Sequence, residues 1–266
     1  MELENFSFKK KYGQNFLKDI TIPTKIVNCA EIEKDSLVIE IGPGAGIMTK
    51  ILANNPNVKQ VLAYEIDVNL EEVLDRNLVG LDNVCVIYDD FLNRDLNHDL
   101  SKYEYSKIYV VANLPYYITT PIIMRLIDSN IDLEKIVIMI QKEVADRFCA
   151  KPKSREYGSI TVFLNYYFDI KKEFVVSRNC FTPKPNVDSM VISLNKKNSE
   201  VKVNNKEKFF KLVKDSFKFK RKTLRNNLKG YDLDLISKVL NKYGYDLSVR
   251  AEELPINIFV EISEVL

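Results

Sequence analysis

Short apolar runs rich in β-branched residues alternate with amphipathic stretches between residues 36 and 141. Five runs have the length of a strand: SLVIEIG (36–42), KQVLAYEI (59–66), NVCVIYD (83–89), KIYVVAN (107–113) and KIVIMIQ (135–141). The stretches between them, such as NLEEVLDRNLVG and TTPIIMRLIDSN, have the 3.6-residue spacing of helices. Nearly continuous apolar strands separated by helices predict a parallel sheet that is covered on both faces.

The pattern changes after residue 158. SITVFLNYYFDI, KKEFVVS and SMVISL follow without a spacer of helix length, and we expect them to be antiparallel strands that complete the sheet. The polar stretch NKKNSEVKVNNKE (195–207) predicts a domain boundary, and the chain from KFFKLVKDSF onward is helical in period. We therefore predict a Rossmann-like α/β domain over residues 1–198 and a small all-helical domain over residues 199–266.

The composition limits the kinds of functional site that the chain can contain. The four cysteines are far apart without a C-x-x-C pair, and the single histidine, His98, lies in a polar stretch. This usage indicates a reduced, cytoplasmic protein without a disulfide framework, and we expect no bound metal. No run reaches transmembrane length and the N-terminus lacks the pattern of a targeting peptide, so we expect no association with a membrane.

A glycine-rich turn follows the first of the five strands in IEIGPGAGIMT (39–49). Gly42, Gly44 and Gly46 permit a tight turn and a close approach of a ligand to the backbone, and the helix that follows offers free N–H groups. The spacing is G-x-G-x-G rather than the G-x-G-x-x-G of dinucleotide-binding folds, and no P-loop lysine follows. The motif therefore favours S-adenosylmethionine over NAD or ATP.

Acidic residues stand at the ends of the next two strands. Glu65 in YEID is suited to hydrogen-bond ribose hydroxyls, and Asp89 and Asp90 are suited to accept a hydrogen bond from an adenine amine. Each carboxylate could instead cap a neighbouring helix. Successive strand ends with acceptors make a nucleoside-containing cofactor the better interpretation.

The fourth strand ends in NLPYY, an amide, a proline and two tyrosines. The side-chain oxygen of Asn113 and the carbonyl of Leu114 could accept the hydrogens of an exocyclic base amine and localise its lone pair for methyl transfer. Pro115 fixes the backbone, and Tyr116 could stack on the base, an interaction worth roughly 1–3 kcal/mol. The alternative is an ordinary proline turn with half-buried tyrosines.

Positive charge is concentrated near the C-terminus. Residues 206–229 contain ten Lys or Arg and two acidic residues, a balance of +8, although the whole chain carries only +2. A charge run is often a solvated face, but beside a nucleic-acid-modifying site we favour contact with phosphates. The RNA-binding candidates are Lys218, Lys220, Arg221, Lys222 and Arg225, with Lys151, Lys153 and Arg155 in the loop KPKSR.

In this order and spacing, IEIGPGAG, YEID, DDF and NLPYYI resemble the ribosomal RNA adenine dimethyltransferases, and the closest resemblance is to the KsgA type of the small subunit. KKYGQNFL (10–17), QKEVADRFCAKPKSREYGSITV (141–162), FTPKPNVDSMV (181–191), KTLRNNL (222–228) and RAEEL (250–254) resemble further signatures of that family. The resemblance implies a class I S-adenosylmethionine-dependent methyltransferase fold with a seven-stranded, mostly parallel sheet. Two departures are Tyr117, where many relatives carry a polar residue, and Thr161, where the family pattern has serine.

The resemblance also implies function and site residues. It implies a cytoplasmic monomer that dimethylates two adjacent adenosines in the 3′-terminal hairpin loop of small-subunit rRNA within the immature subunit. The cofactor contacts would be Asn15, Leu17, Gly42, Gly44, Glu65, Asp90 and Asn113. The catalytic turn would be Asn113, Leu114, Pro115 and Tyr116, with Phe181 over the second face of the target base.

Three other functions are open from the sequence. An Erm-type enzyme uses the same kind of site on large-subunit rRNA, but KPKSREYGS, KTLRNNL and RAEEL favour the KsgA type. A DNA adenine methyltransferase is disfavoured because Leu114 replaces the usual second proline and no target-recognition domain is evident. A non-catalytic assembly or transcription factor derived from the fold would have a degraded glycine turn or lack Asn113.

Overall fold

The computed structural model describes residues 16–197 and 203–266. They form two compact units: the described residues up to Ala145 with Lys171–Asn195, hereafter the first unit, and Asp146–Ile170 with the described residues from Lys196 to Leu266, the second unit. The predicted boundary between residues 198 and 199 lies outside the described residues. Residues 146–170 belong to the second unit, so the units are discontinuous in sequence, and the division into functional domains stays a prediction.

The central sheet has seven strands within the described residues, as the fold class predicts. The nine strands of the described chain are β1 (Phe16–Leu17), β2 (Ser36–Ile41), β3 (Val58–Glu65), β4 (Val84–Tyr88), β5 (Ile108–Asn113), β6 (Leu133–Gln141), β7 (Phe168–Val176), β8 (Phe181–Thr182) and β9 (Ser189–Lys196). The order across the sheet is β4-β3-β2-β5-β6-β9-β7, and β1 pairs separately with β8.

The five predicted strands β2 to β6 pair in parallel, and β9 runs antiparallel to β6. All six residues of β2 are buried, because this strand lies inside the sheet between β3 and β5. Parallel strands end at the same edge of a sheet, so the segments after β2, β3, β4 and β5 emerge together there. This edge carries most of the residues that the sequence proposes for a cofactor site.

Helices connect the strands and form the second unit. In the described residues they are α1 (Thr21–Ala30), α2 (Ile47–Ala53), α3 (Glu71–Asn77), α4 (Leu96–Leu100), α5 (Thr119–Asp128), α6 (Lys142–Phe148), α7 (Ser159–Tyr167), α8 (Lys206–Ser216), α9 (Leu224–Asn227), α10 (Leu233–Lys242) and α11 (Ile256–Val265). The predicted helices in NLEEVLDRNLVG and TTPIIMRLIDSN correspond to α3 and α5, and the helical C-terminal region corresponds to α8 to α11.

The expected strand in SITVFLNYY is wrong, because these residues form helix α7. The Thr161 hydroxyl accepts a hydrogen bond from Gly158 N at 3.2 Å and donates one to Arg147 O at 2.7 Å, which fixes the start of the helix. Val162 and Tyr166 pack into the apolar core of the second unit. A continuous apolar run has no periodicity to distinguish helix from strand, and here tertiary packing outweighs the β-propensity of the residues. Thr161 supplies its hydroxyl where the family pattern has serine.

The second unit is organised around rings and aliphatic residues from α7, α8 and α11. The Tyr166 ring lies 5.2 Å from the Phe209 ring, and the Phe217 ring lies 5.8 Å from the Phe259 ring. Asn205 caps α8 by accepting a hydrogen bond from Lys208 N at 2.9 Å. The lysine-rich sequence of α8 is thus an amphipathic helix whose apolar face is buried.

Candidate active site

A pocket opens at the carboxyl edge of the sheet and contains about 900 Å³ of empty space, including the part open to solvent. The sequence-predicted residues that line it are Leu17, Gly42, Gly44, Glu65, Asn113, Leu114, Pro115 and Tyr116. They come from β1 and from the segments that follow β2, β3 and β5. The fold thus brings eight predicted residues around one cavity, and their individual roles stay predictions.

The glycine turn approaches β1 closely at Gly44. Gly44 has a φ of +59°, and a Cβ atom there would lie 2.8 Å from Cε1 of Phe16. Both the backbone conformation and the contact therefore select glycine. Phe16 also lines the pocket. The sequence reasoning missed it, although it stands between the predicted Asn15 and Leu17.

Glu65 ties the glycine turn to the end of β3. Its Oε2 accepts a hydrogen bond from Gly44 N at 3.1 Å, and its Oε1 accepts one from Asp67 N at 2.9 Å. Burial raises the pKa of Glu65, while these backbone donors oppose that shift. Each oxygen has a second lone pair, so the oriented carboxylate can still accept hydrogen bonds from ligand hydroxyls.

Glu40 is an acidic pocket residue that the sequence reasoning missed. It lies in β2, is fully buried, and lines the pocket. Among the described residues, neither of its carboxylate oxygens has a hydrogen-bond partner of acceptable geometry. Burial raises its pKa to about 8, with the nearby Thr49 hydroxyl opposing the shift. The available signal was a lone acid in an otherwise apolar strand two residues before Gly42.

Residues 113–116 of the NLPYY segment form a fixed turn, the predicted catalytic turn. Asn113 ends β5 opposite Met139, and Leu114 N donates to Met139 O at 3.1 Å. The carbonyl of Pro115 accepts from Ile118 N at 3.3 Å, so the turn leads directly into α5. Backbone hydrogen bonds on both sides hold the two predicted amine acceptors in position.

Tyr116 is anchored at its hydroxyl. The Tyr116 hydroxyl lies 2.6 Å from Oγ of Ser189, which is fully buried at the start of β9. Burial raises the pKa of Tyr116, and the Ser189 hydrogen bond opposes the shift. The ring therefore enters the pocket wall with its far end fixed. Tyr117, by contrast, is 55% exposed.

Among the described residues, two that the sequence predicts for the site, Asp90 and Phe181, do not line the pocket. Oδ1 of Asp90 accepts from Leu92 N at 3.0 Å and caps the 3₁₀ turn that follows, so the capping alternative describes this side chain. The Phe181 ring is completely buried in the core of the first unit, where β8 pairs with β1. Its role as a second ring over the target base stays a prediction. Asn15 lies outside the described residues.

The predicted RNA-binding residues lie in the second unit, and all eight are exposed. Residues 218–222, which we call the basic turn, connect α8 to α9. Nζ of Lys220 donates to the carbonyl of Arg155 at 2.6 Å, so the basic turn touches the KPKSR loop. The two basic segments that are distant in sequence therefore form one cationic region.

The structure adds two facts about ligands and membranes. Within residues 16–197 and 203–266, no group of three or more His, Cys, Asp or Glu side chains is arranged to hold a metal ion. None of the helices in the described part of the chain is both long enough and apolar enough to cross a membrane.

The profile of the family described as ribosomal RNA adenine dimethylase matches residues 5–266. Proteins named ribosomal RNA small subunit methyltransferase A from Streptococcus pneumoniae serotype 2 (strain D39 / NCTC 7466) and Streptococcus thermophilus (strain ATCC BAA-491 / LMD-9) are each 44% identical to the chain. Both matches cover 100% of this chain and 94% of the relative.

Two solved structures have a similar fold. A dimethyladenosine transferase from Plasmodium falciparum is 26% identical with a TM-score of 0.77, over 93% of this chain and 95% of that one. The 23S rRNA methyltransferase ErmE is 25% identical with a TM-score of 0.74, over 94% of this chain and 99% of that one. With a class I methyltransferase sheet and a pocket at its carboxyl edge, the chain belongs to the ribosomal RNA adenine dimethylase family, whose members transfer methyl groups from S-adenosylmethionine to adenine in rRNA.

Proposed function

We propose that the chain dimethylates the 6-amino groups of two adjacent adenosines in the 3′-terminal hairpin loop of small-subunit rRNA, late in small-subunit biogenesis. Both streptococcal relatives carry the small subunit in their names and are 44% identical over the whole chain, which supports this subunit. The sequence signatures KPKSREYGS, KTLRNNL and RAEEL support the same choice.

One observation supports the proposal most strongly: two buried carboxylates and the residues of the catalytic turn line the same pocket. Buried carboxylates from β2 and β3, Glu40 and Glu65, lie at the same cavity as the catalytic turn after β5. A site with acidic acceptors suits a cationic nucleoside cofactor, and a site with paired neutral acceptors suits a base amine. The two sets share a pocket, as direct transfer between cofactor and base requires.

The pocket residues fit S-adenosylmethionine. When bound, this cofactor supplies a methyl group on a positively charged sulfur. The unpartnered buried carboxylate of Glu40 would hold the cofactor's ammonium group, because a buried acceptor without a partner is costly and a charged donor relieves that cost. Glu65 would accept from the ribose hydroxyls, and Gly44 leaves room beside the Phe16 ring.

The catalytic turn would prepare the amine. The side-chain oxygen of Asn113 and the carbonyl of Leu114 would accept its two hydrogens, which localises the nitrogen lone pair otherwise delocalised into the ring. The nitrogen gains the methyl group before it loses a proton, so a neutral amide suffices and no strong base is needed. Tyr116 would stack on the adenine, and Ser189 would keep its ring at a fixed angle.

The cations of the second unit would hold the rRNA. The basic turn and the KPKSR loop expose their charges together and would contact phosphates without reading sequence. We further propose that the chain works as a cytoplasmic monomer on the immature small subunit. Asp90 stays a candidate for contact with the cofactor's adenine, which would require its side chain to leave the cap on Leu92 or use its second oxygen.

The experiment is methyl transfer from labelled S-adenosylmethionine to three substrates, with dimethyladenosine quantified by mass spectrometry. The substrates are unmethylated small subunits, unmethylated large-subunit rRNA, and DNA containing adenine. We expect dimethyladenosine on the small subunit alone, at two adjacent positions of the terminal hairpin loop.

The other outcomes separate the alternatives. Product on large-subunit rRNA would favour the Erm-type function, whose fold is represented by ErmE at a TM-score of 0.74. Binding to small subunits without product on any substrate would favour a non-catalytic assembly factor.

A further inference from the structure

Phe219 is exposed in the middle of the basic turn. Its side chain is 56% exposed, and it is the only phenylalanine among the exposed large hydrophobic residues of the described chain. Its four neighbours in the turn, Lys218, Lys220, Arg221 and Lys222, are cations, and all of them are exposed. A large apolar ring is thus presented to solvent within a run of four exposed cations.

The turn holds this residue in a defined position. One side chain, that of Asn227, accepts a hydrogen bond from Phe219 N at 3.1 Å and donates to Phe219 O at 3.3 Å. The same amide group donates to Ser216 O at 2.7 Å, which links the turn to the end of α8. Lys222 N also donates to Phe219 O at 2.9 Å. The exposed ring therefore projects from backbone that is fixed on several sides.

Nearby Phe217 shows that a phenylalanine at the end of α8 can pack on the apolar core. The partly buried Phe217 ring lies 5.8 Å from the Phe259 ring and 6.0 Å from the Tyr157 ring, against the apolar core. Two residues later, Phe219 points away from that core, and Nζ of Lys218 lies 5.6 Å from its ring centroid. The contribution of Phe219 to folding is consequently small, and its ring is available to a ligand.

We propose that Phe219 stacks on an unpaired base of small-subunit rRNA whose flanking phosphates are held by the cations of the basic turn. A flat ring flanked by cations matches the chemistry of a nucleotide in single-stranded RNA, which presents a base face beside negative phosphates. Bases within a duplex have no free face, so the ligand is a loop, bulge or strand end. This inference rests on the proposed function and adds a second point of base contact, outside the catalytic pocket.

The test measures the affinity of the full-length protein for unmethylated small subunits and for protein-free small-subunit rRNA at several salt concentrations. We expect Phe219→Ala and Phe219→Leu to weaken binding to both by at least about fivefold, and Phe219→Trp to retain it. Because stacking releases few counterions, the slope of log affinity against log salt stays that of the wild type. Tyr243→Ala is the matched control: it removes a 42% exposed ring that bonds Glu261 in the same unit, and we expect a change below twofold.

Unchanged thermal unfolding and unchanged binding of S-adenosylmethionine verify that each variant is folded. Binding by Phe219→Ala within twofold of the wild type would overturn the inference, and so would wild-type affinity for Phe219→Leu, which keeps an apolar contact without a ring. A loss on subunits but not on protein-free rRNA would indicate contact with a ribosomal protein and overturn it as well. Absence of binding by the wild-type protein would contradict the proposed function itself, and the stacking site with it.

Discussion

The pocket of the first unit and the basic turn of the second unit differ in how their residues are held. In the pocket, Glu40 is fully buried, Glu65 is 5% exposed, and the Tyr116 hydroxyl is fixed on Ser189 at 2.6 Å. In the basic turn every side chain is exposed. We expect the pocket to depend on the position of individual atoms, whereas the cations of the basic turn contribute mainly through their summed charge.

This difference sets the scale of mutational effects. Removing an atom from a preorganised, water-poor site alters chemistry or binding strongly, since no other group can replace it. Removing one of several exposed surface charges lowers affinity modestly and changes its dependence on salt. We therefore expect the largest effects in the pocket and the smallest in the basic turn.

Asn113→Ala should have the largest effect on catalysis. The change removes one of the two proposed amine acceptors, and we expect kcat to fall by at least about 100-fold while binding to small subunits is nearly unchanged. Single-turnover transfer and subunit binding would be measured together. Asn54→Ala removes an exposed amide at the end of α2 and should keep activity within twofold. Substantial transfer by Asn113→Ala would remove this side chain from the mechanism.

Gly44→Ala should strongly weaken cofactor binding. The added Cβ would lie 2.8 Å from the Phe16 ring at a residue with φ of +59°, so the ring or the turn must shift. We expect the Kd for S-adenosylmethionine to rise by more than about tenfold and the free energy of unfolding to fall by about 1–3 kcal/mol. Isothermal titration and thermal unfolding measure the two quantities.

Gly80→Ala is the control that separates strain from contact. Gly80 has a similar φ of +80°, but a Cβ there would meet no atom within 4 Å. It should show the loss of stability without the loss of cofactor affinity. Equal affinities for the two variants would mean that the approach of Phe16 to Gly44 does not shape the cofactor site.

Glu40→Gln should stabilise the ligand-free protein while weakening cofactor binding. Because the folded-state pKa of about 8 lies above the ordinary 4.5, the folded protein keeps a proton that the unfolded chain releases. The resulting contribution to stability is complete below pH 4.5 and declines as the pH rises through about 8. We expect the variant to match the wild type near pH 5 and to exceed it at pH 8 by an amount on the order of 1 kcal/mol or more.

The same substitution should raise the Kd for S-adenosylmethionine about tenfold at pH 8, because a charged acceptor is lost. Thermal unfolding at both pH values, with and without S-adenosylhomocysteine, measures both effects. Glu104→Gln, at a side chain that is 96% exposed, should change neither. If Glu40→Gln keeps the wild-type dependence of stability on pH, the Glu40 carboxyl is not the source of that dependence.

Strand ends explain which parts of the pocket the sequence could predict. β2, β3 and β5 are largely apolar runs, and the polar or glycine residues that end them must meet at one edge of a parallel sheet. Gly44, Glu65 and Asn113 could therefore be grouped from sequence alone. The same reasoning does not reveal side-chain direction, which is why Asp90 was expected in the pocket although it caps the next turn.

The remaining differences come from contacts between distant parts of the chain. Helix α7 is helical because Gly158 and Arg147 bond the Thr161 hydroxyl and because its rings pack on α8. The β1–β8 pairing buries Phe181, and strands of only two residues leave no recognisable pattern in the sequence. The tether between Tyr116 and Ser189 joins residues 73 positions apart, and only the folded sheet brings them together.

Ser189→Ala should reduce activity moderately by releasing the Tyr116 ring. Loss of one hydrogen bond of about 1 kcal/mol corresponds to roughly a fivefold reduction in kcat/KM. Tyr116→Phe should have the same effect, and the double variant should be no worse than either, because both remove one bond. Ser193→Ala is the matched control on the same strand, where the lost bond is to Glu173 at 2.7 Å. Additive losses of kcat/KM in the double variant would mean that Ser189 and Tyr116 act independently.

Arg221→Ala should have the smallest effect and the clearest dependence on salt. The side chain is an exposed cation of the basic turn, and its loss leaves three neighbouring cations in place. We expect a several-fold loss of affinity for small subunits at low salt, a slope of log affinity against log salt that is reduced by about 1, and no change in kcat at saturating substrate. Lys25→Ala, an exposed lysine of α1 in the first unit, should leave the slope unchanged. A loss of kcat in Arg221→Ala with an unaltered slope would mean that the basic turn acts on the chemistry by position, as the pocket does, and would remove the distinction between the two regions.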